Sequence, residues 1–184
     1  QFLLAIGNRE EIINYYKNLI SSNRKMSKSD YEMFAQMLFS SEAYEELFSY
    51  RKNIIRLESV LSTAQVIISA DILERNDVSD SLRSEFMQTG KFSSADISLI
   101  YLLYVAIENE VMEIVPEYLT RFQDADMLIR FLSNEIRRSY DIFPEILDLA
   151  REGAIDDEIY YLLLSEYYVI DNKELANSNF SKID

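Results

Sequence analysis

Two short acidic clusters are the parts of this sequence that come nearest to a chemical site. Asp124 and Asp126 form an acidic-x-acidic pair, a pattern that can hold a metal-bound nucleotide sugar at the end of a strand. Asp156, Asp157 and Glu158 are consecutive and offer the carboxylate oxygens that Mg²⁺ and Ca²⁺ prefer. Both clusters also fit a helix start, where an Asp caps the first turn and acids complement the helix dipole. We interpret both as helix starts, and the sequence predicts no metal and no cofactor.

Several classes of catalytic site are excluded because their residues are missing. The chain has no His and no Cys, so nucleophilic catalysis of the Ser-His-Asp or Cys-His type is impossible. Its glycines are too far apart to form a phosphate-binding loop. The lack of His and Cys does not exclude a glycosidase site made of two carboxylates, because an acidic helical protein has many candidate pairs. We therefore expect that the chain is not an enzyme.

The composition favours a helical protein with one folded domain. The chain has 184 residues, of which 48% are hydrophobic and 27% charged, an ordinary globular balance. Gly occurs 3 times and Pro 2 times, too rarely for a β-sandwich or barrel. Apolar residues recur at helical spacing, as in Tyr31, Phe34 and Leu38. We expect an all-α fold whose core includes Leu103 and Ile107.

No stretch of the sequence is suited to cross a membrane. The longest apolar run, residues 97–107, is far shorter than the roughly 20 residues that a bilayer requires, so we expect no membrane insertion. The chain begins at Gln1 inside an apolar segment and shows no signal peptide. We expect a segment of a longer chain, and a cytoplasmic location is favoured.

Local signals predict where several helices begin and end. One helix is expected from Arg9 to about Ser21, with Ser29 or Asp30 capping the next, and residues 44–57 are expected to form a single helix. The two prolines predict helices that begin close to Val115 and Phe143, or else kinked helices that begin earlier; both alternatives stay open. Glycine is expected to end three helices, at Gly7, Gly90 and Gly153. The last helix is expected to be anchored by Leu175, Phe180 and Ile183.

An acidic-apolar-apolar step recurs along the chain and indicates a helical repeat. Its copies, strong and weak, begin at Glu11, Glu46, Asp80, Glu113, Asp141 and Glu174, so successive copies lie 28 to 35 residues apart. A repeat of this length is typical of solenoids, in which each helix pair buries its apolar face against its neighbours. The predicted units of this single domain are approximately 1–23, 29–57, 58–90, 94–122, 124–152 and 156–184.

The segment around the first copy resembles a tetratricopeptide repeat, a unit of 34 residues in two antiparallel helices. The matching positions are Gly7, Glu10, Glu11, Ile13 and Tyr16, then Glu45, Glu46 and Phe48, then Glu113, Val115 and Tyr118. The family's first-helix Trp and closing Pro are absent, and Glu42 and Asn109 replace its Gly. The resemblance implies antiparallel helix hairpins, about 10–11 helices in all, stacked into a right-handed superhelix whose concave face binds peptides or proteins. Other paired-helix repeats and a non-repetitive bundle are the alternatives.

The net charge of −14 lies almost entirely in the second half of the chain. Residues 1–92 carry 11 basic and 13 acidic side chains, whereas residues 93–184 carry 7 and 19. Phosphates would be repelled by this half, so no nucleic-acid partner is expected. The charge either keeps the protein in solution or attracts a basic partner. The candidate partner-binding residues are Glu110, Glu113, Glu117, Asp156, Asp157, Glu158, Tyr160 and Tyr161.

The tyrosine doublets add a second kind of candidate contact. In Tyr15-Tyr16, Tyr160-Tyr161 and Tyr167-Tyr168 we expect one ring to pack inward and the other to face a groove. Exposed aromatic rings often anchor partners, although packing in the core explains them as well. The leading hypothesis is a protein–protein interaction scaffold that binds a protein or peptide. The alternatives are a helical accessory module of a larger enzyme or assembly, such as a polysaccharide-synthesis or transferase protein, and a peptide-sensing regulator.

Overall fold

The structure is a computed structural model and describes residues 8–22, 24–56, 58–88 and 92–183. All regular secondary structure in these ranges is helical, which confirms the all-α prediction. The α-helices of the described ranges are α1 (Arg9–Ser21), α2 (Lys28–Phe39), α3 (Tyr44–Ser49), α4 (Arg51–Ile55), α5 (Val60–Ile72), α6 (Asn76–Gln88), α7 (Ala95–Glu108), α8 (Val115–Leu119), α9 (Ala125–Arg138), α10 (Phe143–Arg151), α11 (Asp157–Asp171) and α12 (Lys173–Phe180). Two short 3-10 helices, Met112–Ile114 and Tyr140–Ile142, precede α8 and α10.

The chain divides into two compact units, residues 1–89 with α1 to α6 and residues 90–184 with α7 to α12. The expectation of one repeat domain over residues 1–184 stays a prediction.

The core of the N-terminal unit is organised around α5, which contacts α2, α3, α4 and α6. The predicted aromatic stripe of α2 is confirmed, with Phe34 and Phe39 almost fully buried. One buried ion pair joins α5 to α6: Arg83 Nη1 lies 2.6 Å from both carboxylate oxygens of Asp71. Because a buried charge is costly unless paired, this bond fixes the angle of the hairpin.

In the C-terminal unit, helices contact both their sequence neighbours and the helix two positions away. Contacts join α7 to α8, α9 to α10 and α11 to α12, and also α7 to α9, α8 to α10 and α9 to α11. The core holds large side chains from α7 to α11, among them Leu102, Tyr118, Phe131 and Phe143. Leu103 and Ile107 are buried, as predicted.

The structure decides between the alternatives at the two prolines. The α-helices begin at Val115 and Phe143, with the proline as the second residue, and each follows a 3-10 turn. The proline ring needs no N–H donor at that position, so it does not interrupt the helix. Predicted caps are also confirmed at two helix starts, where the side chains of Asp124 and Asp156 accept backbone hydrogen bonds.

Several boundary predictions were wrong for identifiable reasons. The cap of α2 is Ser27, because Asp30 closes a capping box with it. The helix expected over 44–57 is divided at Tyr50, whose N–H is shared between the carbonyls of the preceding turn. Leu175 and Phe180 are exposed, since the turn of α12 points Ala176 and Asn179 inward instead. The helix ends expected at Gly7 and Gly90 lie outside the described residues.

Three helices end in a left-handed residue that is glutamate instead of glycine. Glu42, Glu74 and Glu110 follow α2, α5 and α7 with φ of 57°, 55° and 61°. After each of them, the next backbone N–H donates to a carbonyl five residues earlier, at 2.8 to 3.0 Å. This is the hydrogen-bond pattern of the Schellman motif. The backbone geometry that normally requires Gly is therefore formed without it.

Candidate functional site

The first acidic triplet of the candidate surface lies between α7 and the end of α8. Glu110 is the exposed left-handed residue after α7, and Glu113 is exposed in the following 3-10 helix. Glu117 lies in α8 and accepts a hydrogen bond from the guanidinium of Arg121. The charge of Glu117 is thus partly balanced within the chain, whereas Glu110 and Glu113 are open to solvent.

The second triplet forms the start of α11. Asp156 accepts a hydrogen bond from the N–H of Ile159 at 2.9 Å and is the cap of the helix. Asp157 binds Arg151 Nε at 2.8 Å, and Glu158 is exposed. The cap bond of Asp156 confirms the interpretation of this cluster as a helix start. Within the described residues no group of acids is arranged to hold a metal ion.

One close contact brings the segments that carry the two triplets side by side. Thr120 follows α8 and Gly153 follows α10, and a Cβ built on Gly153 would lie 3.4 Å from Cγ2 of Thr120. Glu117 precedes this contact by three residues and Asp156 follows it by three. Since α8 also packs against α10, the two triplets flank a shared junction.

The two candidate tyrosines have different environments. Tyr160 is only 9% exposed and its hydroxyl donates to Asp148 at 2.7 Å, so it is the member of its doublet that packs inward. Burial, together with the bond to Asp148, raises the pKa of Tyr160 to about 12. Tyr161 is half-buried, and Lys182 Nζ lies 4.7 Å from its ring centroid. The ring of Tyr161 therefore already binds a cation of its own chain.

A cleft of about 410 Å³ opens in the same unit, at the ends of α7 and α9. Its wall is formed by Ile107, Glu108, Arg138, Ser139, Tyr140, Asp141 and Ile142. The guanidinium of Arg138 binds the carboxylate of Glu108 and stands 3.8 Å from the ring centroid of Tyr104. Tyr140 is held by stacking on Tyr167 of α11 at 4.7 Å between centroids. The positive charge of Arg138 is thus already bound to Glu108 and Tyr104 of the same chain.

Behind this wall lies a buried glutamate that the sequence analysis missed. Glu135 is fully buried, and one of its oxygens accepts a hydrogen bond from Ser139. Its other oxygen, Oε1, has no hydrogen-bond partner in the described part of the chain. Burial raises the pKa of Glu135 above its usual value, while the Ser139 bond and the charge of Arg138 act in the opposite direction. An acceptor is therefore left unused beside the cleft.

A sequence signal for this residue does exist. In α9 the buried residues are Leu128, Phe131, Leu132, Glu135 and Ile136, which follow the spacing of one apolar helix face. A carboxylate at a position that the pattern assigns to the core needs a specific reason to be there. Asp71 and Asp96 fit the same rule, and both accept hydrogen bonds from groups on other segments.

Comparison of the sequence and the structure with protein-family models, curated proteins and solved structures finds no match. Among the described residues, no helix has the length and apolarity needed to cross a bilayer.

Proposed function

We propose that this chain is a protein-interaction scaffold whose C-terminal unit docks a basic segment of a partner protein. The observation that carries the proposal is the charge of residues 93–184, with 19 acidic against 7 basic side chains. Ion pairs within the chain engage Glu117 and Asp157. Glu110, Glu113 and Glu158 stay exposed for a partner's cations.

The packing of the C-terminal unit supports a stacked arrangement of helix hairpins for this scaffold. Contacts between every second helix, α7 with α9 and α8 with α10, are those that stacked hairpins make. A stack places equivalent helices side by side, so acids near successive helix ends line a common surface. A tetratricopeptide-like, right-handed superhelix is the form of this arrangement that we propose.

The aromatic ring of Tyr161 supplies a second element of the proposed surface. It is half-buried and accepts Lys182 over its face, with Arg151 nearby at 5.5 Å from the ring centroid. A lysine or arginine of the partner would make the same cation–π contact by displacing Lys182. Such contacts contribute roughly 0.5–1 kcal/mol at exposed sites, enough to select orientation once charge has brought the partner near.

The proposal is tested by the affinity of a fluorescent lysine-rich peptide, measured by anisotropy against its norleucine counterpart. A triple variant, D156N/D157N/E158Q, removes three charges while Asn keeps the cap of α11. A control, E10Q/E11Q/D77N, removes the same number of exposed charges from the N-terminal unit. We expect the first variant to weaken binding at least about threefold more than the control, because the nearest charges dominate at physiological salt. Equal losses in both variants would refute a specific surface on the C-terminal unit.

A further inference from the structure

The unpartnered oxygen of Glu135 lies beside residues that line the cleft. Glu135 binds Ser139 and interacts electrostatically with Arg138 and Glu108, and all three of these residues line the cleft. Buried carboxylate oxygens are normally hydrogen-bonded, because desolvation without a bond costs free energy. The unused oxygen therefore belongs to a residue whose polar neighbours line the cleft.

The charge around the cleft favours a cation as that donor. Glu108, Glu135 and Asp141 contribute three carboxylates, against the single guanidinium of Arg138. Arg138 is already bound to Glu108 and stacked on Tyr104. An anion would meet an excess of negative charge here, whereas a cation would offset part of that excess.

The free acceptors around the cleft suit an ammonium better than a guanidinium. A guanidinium prefers two parallel acceptors of one carboxylate, but Ser139 already occupies one oxygen of Glu135. An ammonium is compact and has three donors that point apart. Oε1 of Glu135, the carboxylate of Asp141 and the hydroxyl oxygen of Ser139 can each accept one of them.

The ion pair of Arg138 and Glu108 lies in the wall of the cleft. The side chains of Arg138 and Glu108 are 44% and 58% exposed. Ion pairs this exposed contribute little to stability, so separating the two side chains is not costly. Movement of Arg138 would open the path to Oε1 and leave Glu108 as a further acceptor at the mouth. Glu110, the first residue of the proposed acidic surface, follows Glu108 by two residues.

We propose that the cleft between the ends of α7 and α9 binds one primary ammonium group, the side chain of a lysine in the partner segment. This inference rests on the proposed function, which supplies the basic segment, and adds to it a single pocket with a preference for lysine over arginine.

The experiment uses the full chain with the glutamate carboxyl carbons labelled with ¹³C, titrated with n-butylammonium. Parallel titrations use n-butylguanidinium and n-butanol, which represent arginine and an uncharged group of similar size. We expect a saturable shift of the Glu135 carboxyl signal with butylammonium, with binding at least about fivefold weaker for butylguanidinium and no saturation with butanol. Equal binding of the two cations, or shifts spread evenly over all glutamates, would overturn the inference.

Two variants decide whether Glu135 itself is responsible. Glu135→Gln keeps the size of the side chain and removes a buried charge, so the fold is retained, which circular dichroism checks. We expect it to weaken butylammonium binding at least about tenfold. Glu166→Gln, an exposed change of the same kind outside the proposed surface, should leave the affinity within about twofold. Unchanged affinity in Glu135→Gln would refute the pocket.

The two proposals fail in different ways. If butylammonium does not bind the cleft while the lysine-rich peptide still binds the C-terminal surface, the pocket is refuted alone. If the peptide also fails to bind, the proposed function is refuted with it.

Discussion

Replacing Glu74 by Gly should stabilise the protein, although it removes a side chain. Glu74 follows α5 with φ of 55°, its side chain is exposed, and the turn is held by backbone bonds, Glu74 N–H to Asp71 and Arg75 N–H to Ala70. A left-handed backbone costs a residue with a Cβ about 1–2 kcal/mol. Gly avoids that cost but loses more entropy on folding, about 0.5–1 kcal/mol. The difference predicts a net gain of about 0.5–1 kcal/mol for Glu74→Gly.

Urea unfolding followed by circular dichroism measures this gain. Glu42→Gly should add a similar amount, because Glu42 occupies an equivalent turn after α2, and distant substitutions are roughly additive. Glu166→Gly is the matched control, since Glu166 is exposed inside α11, where Gly costs about 1 kcal/mol. If Glu74→Gly destabilised the protein as much as Glu166→Gly does, the left-handed geometry assigned to these turns would be wrong.

The remaining predictions concern buried contacts. Leu103→Ala should lower the unfolding free energy by about 2–5 kcal/mol, because it leaves a cavity. Lys28→Ala, at an exposed helix start, should change it by less than about 0.5 kcal/mol. Equal losses in urea unfolding would contradict the assigned core. Asp96→Ala should cost about 1–3 kcal/mol, because its carboxylate accepts two backbone N–H groups at 3.0 Å from the loop before α9, and a thermal melt no lower than wild type would disprove this bond. Tyr160→Phe should cost about 1 kcal/mol at neutral pH, since exposed Asp148 regains water. Because the folded pKa of Tyr160 is raised to about 12 from 10.0, this stabilisation is complete below pH 10 and is lost as pH rises to about 12. The difference in unfolding free energy between wild type and Tyr160→Phe, measured in urea, should therefore disappear over that range. A difference that stays constant would contradict the pKa shift.

Helix positions and core stripes were predictable because they depend on local spacing. The stripe of α2 follows from apolar periodicity, and the geometry of proline limited the starts near Val115 and Phe143 to two alternatives, of which the structure has one. The caps Asp124 and Asp156 follow from the fit of a short acidic side chain to the first free N–H groups. These features need no knowledge of which helices meet.

Features that depend on tertiary contacts were not predictable from the same signals. The left-handed turns were hidden because Glu42, Glu74 and Glu110 stand where Gly is the usual marker. Tyr160 belongs to a doublet whose inward member can be assigned only once α11 is placed against α10. Glu135 does lie on an apolar stripe and binds Ser139 four residues further on, but its position beside the cleft depends on how α9 packs against α7.

The association rate of the lysine-rich peptide, measured against ionic strength, tests the central claim most directly. Between about 0.01 and 0.15 M salt the Debye length falls from about 30 to about 8 Å, so a charge-steered association slows markedly over this range. The account predicts a steep decrease for the wild type and for E10Q/E11Q/D77N, and a shallower one for D156N/D157N/E158Q. A rate that does not depend on salt, or the same slope in all three proteins, would contradict the claim that the C-terminal unit docks a basic partner through its acidic surface.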